Sequence, residues 1–171
     1  GDCGACTILI DGEQICACMT PVAQVTGREV TTVEGLASNG SLSALQEAFH
    51  QHGAAQCGIC TPGMLMAASS LLGRNATPDD QEINDALGGV LCRCTGYRKI
   101  IEAVKHVIAP EPLDLDQPEP GHAVGARVLK TDGLERVDGT EIYGADAAPD
   151  DALWVRAVRS PHWSASFALG S

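Results

Sequence analysis

The sequence predicts an α+β chain: a small β-rich unit, then a bundle of four helices, then an extended linker into a further mixed segment. Three observations carry this reading. A tight-turn signal separates short apolar runs near Gly1, apolar residues recur at helical spacing between residues 42 and 108, and a proline- and acid-rich stretch follows. We expect boundaries at 1–38, 39–108, 109–126 and 127–171.

Thr7–Ile10, then Asp11-Gly12, then Glu13–Cys18 reads as a hairpin, because Asp-Gly supplies the positive-φ positions of a two-residue turn. Val30-Thr31-Thr32-Val33 is β-branched and predicts a further strand. Leu42, Leu45, Ala48 and Phe49 then share one helical face and stop at Gly53. Thr61-Pro62 predicts an N-cap with proline at the first helical position, leading into Met64–Ala68, Leu71 and Leu72. Thr77-Pro78-Asp79-Asp80 repeats that signal before Ile83, Ala86 and Leu87, and a fourth helix carries Ile100, Ile101, Val104, Val107 and Ile108. Short connections between them predict a bundle, in which Met64 and Met66 are core.

From Ala109 onward Pro110, Glu111, Pro112, Asp114, Asp116, Pro118, Glu119 and Pro120 leave nothing to build a core. Alternation resumes after Ala126, as in Trp154–Arg159, and predicts strands of an incomplete domain. The chain opens at Gly1 inside a cysteine motif, so the true N-terminus is expected upstream.

Of 171 residues 44% are hydrophobic but only 4% aromatic, so the core must be aliphatic. The net charge of -11 comes from 22 acids against 11 bases. Nucleic-acid binding needs a cationic face, and no Lys/Arg-rich run supplies one, and no apolar run reaches membrane-span length.

Eight cysteines carry the chemistry: Cys3, Cys6, Cys16, Cys18, Cys57, Cys60, Cys92 and Cys94. Two CxxC and two CxC pairs argue against a disulfide scaffold, since cysteines this close seldom bridge each other and suit a shared metal centre. Cys57-Gly58-Ile59-Cys60 and Cys92-Arg93-Cys94 each precede a helix, where backbone N–H groups stabilise thiolates. Four such thiolates suit zinc or a [2Fe–2S] core, and the Cys-Arg-Cys half disfavours the paired CxxC knuckles of structural zinc. Cys3-Gly4-Ala5-Cys6, with Cys18 after eleven intervening residues, matches the tail of the plant-type ferredoxin spacing. The fourth ligand would lie five residues before Cys3, upstream of Gly1. Cys16 is the alternative; strand alternation puts it on the same face as Cys18, and it reads better as a small core residue.

Gly1-Asp2-Cys3-Gly4-Ala5-Cys6-Thr7, Gln56-Cys57-Gly58-Ile59-Cys60-Thr61-Pro62-Gly63-Met64 and Leu91-Cys92-Arg93-Cys94-Thr95-Gly96-Tyr97 resemble the xanthine dehydrogenase/aldehyde oxidoreductase family of molybdenum hydroxylases. The resemblance runs almost continuously over residues 1–108. It implies a ferredoxin-like β-grasp domain, N-terminally truncated here, and a four-helix [2Fe–2S] domain. It further implies that Cys3, Cys6 and Cys18 bind one cluster and Cys57, Cys60, Cys92 and Cys94 a second. Gln56 and Cys94 would lie against the pterin of the molybdenum cofactor. Arg136-Val137-Asp138-Gly139-Thr140, Tyr143, Asp146 and Arg159-Ser160-Pro161-His162 resemble the start of the molybdenum-binding region, a partial α/β hammerhead-type segment, although Ser164 stands where another His is common.

The resemblance implies an electron relay in a molybdenum-dependent oxidoreductase: two [2Fe–2S] clusters pass electrons from molybdenum to an acceptor. Molybdopterin would be held mainly by residues beyond Ser171, so the chain alone is not expected to hydroxylate and contributes no catalytic residue. Implied partners are the rest of the molybdenum-binding region and an external acceptor or separate flavin subunit, with no nucleic acid and no membrane span. We expect a cytoplasmic setting. The competing function is a zinc-stapled structural or interaction module. His50, His52, His106 and His122 read as solvated or helix-capping residues.

Overall fold

The computed structural model describes residues 1–144 and 146–168. Asp11 and Gly12 take φ of 52° and 84°, the left-handed pair that a twisted hairpin turn requires. They join β1 (Thr7–Ile10) to β2 (Glu13–Cys16), with Thr7 opposite Cys16 and Ile10 opposite Glu13. β3 (Val30–Thr31) pairs antiparallel with the other edge of β1, giving the order β2-β1-β3. Two predicted details differ. Val33 leaves the strand to begin a 3-10 turn, and Ala17–Met19 is a 3-10 turn as well, so Cys18 is not on the strand face of Cys16.

The four expected helices form. α1 (Ala44–Gln51) starts at Ser43, whose hydroxyl accepts the Gln46 N–H while Gln46 reaches back to the Ser43 N–H. α2 (Thr61–Arg74) is buried on all sides from Met64 to Ala68 and forms the centre of the core. Its predicted cap is one residue off: Cys60 is the N-cap, Thr61 is inside the helix, and the Thr61 hydroxyl caps nothing. α3 (Asp80–Leu87) has a capping box between Asp79 and Glu82, and α4 (Arg98–Ile108) starts from Tyr97 in a left-handed conformation. The sheet lies on α2 through β1, and Ser70 Oγ donates to the Gly12 carbonyl at 2.9 Å, fixing the hairpin turn to the helix.

Beyond α4 the sequence reading missed an element. The short helix α5 (Gly133–Asp138) packs on α1, with Val137 fully buried and the Gln46 side-chain amide donating to the Val137 carbonyl at 2.9 Å. The alternation expected after residue 126 thus gives way to a helix whose one large buried residue completes the α1 face. The first compact unit accordingly runs from Gly1 to Glu141, past the boundary drawn at 126.

The second unit is Ile142–Ser171. Its described residues hold turns, such as Pro149–Ala152, but no helix or strand. The strand predicted at Trp154–Arg159 has no ladder partner among them, which a strand requires. Ala145 and residues 169–171, which fall in the predicted 127–171 segment, lie outside the described residues. Among those described, no helix is long and apolar enough to cross a membrane.

Candidate metal centres

No disulfide links any of the eight cysteines. The structure brings Cys57, Cys60, Cys92 and Cys94 to one end of the helical core. Cys60 caps α2, and the Cys92–Cys94 turn precedes α4. The sulfurs meet two and two: the Cys94 thiol donates to Cys57 Sγ at 3.5 Å, and Cys60 is hydrogen-bonded to Cys92.

That pairing bears on the metal. A single tetrahedral zinc with bonds of about 2.3 Å needs all four sulfurs within about 4 Å of one another. Among the described residues no three Cys, His, Asp or Glu side chains converge in that way. Two pairs of sulfurs suit a binuclear core, in which each iron takes two thiolates.

The thiols of the two pairs shift one another in opposite directions. Burial, then Cys92 and Cys57 beside it, pushes the Cys60 thiol up to about 12. Burial also acts upward on Cys92, but hydrogen bonds from Thr95 and from the Cys94 backbone outweigh it and hold Cys92 below the ordinary thiol value. The hydrogen bond to Cys57 raises Cys94. A bound cation replaces these shared protons and removes the conflict. Thr61, 1% exposed and next to Cys60, has a hydroxyl with no partner among the described residues, so an additional acceptor such as cluster sulfur fits there.

Tyr97 organises the second loop. At φ 66° it is left-handed without being glycine, a conformation that costs energy and clusters at functional sites. Its phenol donates to the Val90 carbonyl at 3.0 Å and accepts the Cys92 N–H at 3.1 Å, closing the turn on itself. On the first loop, Gln56 donates its side-chain amide to the Gly53 carbonyl at 2.9 Å, and its own carbonyl accepts from the Arg136 guanidinium of α5. Arg136 also pairs with Asp132 and, at 3.3 Å, with Glu141. Gln56, Cys94, Thr95, Arg98, Lys99 and Glu102 line an open cleft of about 250 Å³.

The other three predicted ligands sit at the sheet. Cys6 Sγ accepts the Cys18 N–H at 3.5 Å, and the Ala17 N–H donates to the Cys6 carbonyl at 3.2 Å, so the loops of Cys6 and Cys18 close together. Cys3 and Cys18 are exposed. Cys16 lines a separate groove with Thr7, Gln14, Asp85 and Val90.

The two sites touch through backbone. Gly4 has φ 69°, and a Cβ on it would stand 2.1 Å from the Gly89 carbonyl oxygen. A Cβ on Gly63, in the first turn of α2, would stand 2.3 Å from the Gly4 oxygen. The Leu91 N–H donates to the Cys3 carbonyl at 2.8 Å. Sequence reading found the cysteines but not the packing of Gly4 against the backbone of Gly89 and Gly63. It missed Thr95, Tyr97 and Arg136 as parts of the site, though the left-handed Tyr97 leaves no local signal and Arg136 lies eighty residues from the carbonyl it holds.

Comparison with known proteins follows the same lines. The family described as [2Fe-2S] binding domain matches residues 32–105. The nicotine 6-hydroxylase small subunit of Paenarthrobacter nicotinovorans is 57% identical over 104 residues, covering 61% of this chain and 62% of that one. The nicotinate dehydrogenase small FeS subunit of Eubacterium barkeri is 45% identical over 108 residues, covering 63% of this chain and 69% of the relative. The solved aldehyde oxidoreductase from Desulfovibrio gigas superposes with a TM-score of 0.77 at 36% identity, over 85% of this chain but 17% of that one. The chain belongs to the xanthine dehydrogenase/aldehyde oxidoreductase family of molybdenum hydroxylases, in its iron–sulfur region. It spans less than two thirds of the nicotine relative and about a sixth of the aldehyde oxidoreductase.

Proposed function

We propose that this chain is the electron-transfer part of a molybdenum-dependent hydroxylase, with Cys57, Cys60, Cys92 and Cys94 holding one [2Fe–2S] cluster and Cys3, Cys6 and Cys18 contributing to a second. When bound, the clusters supply one-electron redox steps that split the two electrons of substrate oxidation. The residues of the chain fix where those clusters sit and how they are joined. The single observation that carries the relay is the Leu91 N–H bond to the Cys3 carbonyl, one residue from Cys92. It links the two ligand loops through one hydrogen bond and a few covalent bonds, and the absence of side chains at Gly4 and Gly63 keeps them close.

Gln56 and Cys94, on the wall of the open cleft, would face the pterin of a molybdenum cofactor held by the rest of the molybdenum-binding region. Ile59 at 63% and Leu91 at 59% exposure lie on the same cysteine loops and suit a covering protein surface. The long alignment with the D. gigas enzyme supports a fused arrangement, in which 127–171 is the start of a hammerhead-type domain and residues 1–38 follow a β-grasp plan. The names of the relatives support an N-heterocycle or an aldehyde as the substrate class of the assembled enzyme. Cysteines without disulfides suit the reducing cytoplasm.

The test is rapid mixing of substrate with the intact enzyme, following each cluster's signal separately. Cys94→Ser should slow reduction of the sheet-side cluster sharply. Cys18→Ser should leave reduction at the helical site fast and impair only delivery to the acceptor. The reverse pattern would overturn the order of the relay.

A further inference from the structure

We propose that Thr95 sets the reduction potential at the helical site by donating its hydroxyl proton to the Cys92 sulfur, an inference that rests on the assignment of Cys92 as a cluster ligand. Thr95 Oγ1 lies 3.2 Å from Cys92 Sγ, and it accepts the Tyr97 N–H at 3.1 Å. A hydroxyl oxygen that accepts a bond still has its own proton to give. A metal-bound cysteine sulfur carries no proton, so only one direction remains for the Thr95–Cys92 contact: the hydroxyl donates.

The surroundings keep it so. Tyr97 is held left-handed, and that turn brings its N–H onto Thr95. The Tyr97 phenol also accepts the Cys92 N–H at 3.1 Å, so Tyr97 holds both Thr95 and the backbone of Cys92 in place. At the sheet-side site Thr7 follows Cys6 as Thr95 follows Cys94 and its hydroxyl also reaches back three residues, but there it donates to the Gly4 carbonyl at 2.6 Å and not to sulfur. One threonine is committed to the loop backbone, the other to a ligand.

The consequence has a definite sign. Reduction adds one electron, converts one ferric iron to ferrous and moves no proton, so the cluster and its thiolates become one charge more negative. A donor to thiolate sulfur is held more strongly by the more negative state, which raises the potential. Thr95 acts through Cys92 and is a positioning residue for the redox step.

The experiment is a mediated dithionite titration of the assembled holoenzyme, with the resonances of the two reduced clusters read separately. The parent is compared with Thr95→Val, which keeps the shape and loses the hydroxyl, and with Thr95→Ser, which keeps the hydroxyl. Thr95→Val should shift the helical cluster's reduction equilibrium about tenfold toward the oxidised state, which is ~59 mV for one electron. Thr95→Ser should titrate close to the parent, and the sheet-side cluster should not move in either variant. One exchangeable proton coupling on the reduced helical cluster, that of the Thr95 hydroxyl, should be present in the parent and in Thr95→Ser and lost in Thr95→Val, while couplings of the backbone N–H donors to Cys92 remain. A fully loaded Thr95→Val with the parental potential overturns the proposal, as does a Thr95→Ser potential as low as that of valine. Should Thr95→Val fail to take up iron, Thr95→Ser and deuterium exchange of the parent decide, and absence of the exchangeable coupling overturns it. A parent without any iron–sulfur spectrum would instead refute the ligand assignment.

Discussion

The two cysteine sites lie in one compact unit but are prepared for metal in different ways. At the helical end, the sulfurs are paired before any metal is considered, because Cys60 is buried in the core and the Cys92 turn is closed by a tyrosine phenol. At the sheet end, Cys3 and Cys18 are exposed on turns beside short strands, and the Cys6–Cys18 approach rests on a long 3.5 Å bond to sulfur. The difference teaches that a helical core can pre-position thiols at a desolvation cost, visible in the raised Cys60 thiol, whereas exposed loops avoid that cost and leave the ordering to the cluster.

The strongest way to break this comparison is to break the junction. Gly4→Ala puts a Cβ against the Gly89 carbonyl in a left-handed conformation, so backbone on both sides must move. We expect a loss of about 3 kcal/mol, read as a lower thermal midpoint, with iron lost at both sites. A stable Gly4→Ala holoprotein with both signals intact would mean the loops do not depend on each other.

Removing the metal should separate the sites. After chelation, amides at residues 3–7 and 17–19 should exchange about tenfold faster or more, while α2 and α4 keep most of their protection. Equal loss of protection in both regions would contradict the pre-positioned helical site.

The comparison also marks what was legible in the sequence. The cysteine spacings and the Asp11-Gly12 turn depend on neighbours within a few residues, and reading them needed no tertiary information, whereas the Thr77-Pro78 start signal lies two residues ahead of Asp79, the cap that α3 uses. The cap of α2 was misread because Thr-Pro suggests a cap by composition, while the chain places Cys60 there and withdraws the threonine into the core. α5 was missed for a different reason: six residues with one buried valine make no periodic pattern, and its position is set by Gln46, ninety-one residues away. The roles of Thr95 and Tyr97 depend on a left-handed turn that no sequence rule assigns to tyrosine.

Arg136 sharpens the comparison from outside the bundle. Its guanidinium holds the Gln56 carbonyl next to Cys57 and is 15% exposed. Arg136→Gln should cost ~2 kcal/mol, the loss of a charge-assisted hydrogen bond. Faster exchange at residues 53–58 and faster iron release at the helical site alone would bear this out; no change in either would make α5 a passenger.

The smallest effect concerns acid. Burial first, and then His106 at a ring-centre distance of 4.9 Å with Arg127 and Lys99, holds the His52 imidazole below its ordinary value of 6.5, with Glu102 opposing. Just below that pH the unfolded chain binds a proton that the folded chain refuses. The His52 contribution to stability is therefore complete above pH ~6.5 and lost as the pH falls. Thermal midpoints of the parent should drop on acidification slightly more than those of His106→Gln, and identical slopes would remove His52 from the account.

The central claim is that two binuclear iron–sulfur clusters occupy these two sites, one on each set of cysteines. Low-temperature electron paramagnetic resonance of the dithionite-reduced holoenzyme, with iron and acid-labile sulfide measured on the same sample, tests it most directly. Two distinct signals are expected, with iron and sulfide in equal amounts and a change in only one signal when Cys94→Ser or Cys18→Ser is introduced. A single signal altered by both substitutions, or zinc in place of iron and sulfide, would contradict it.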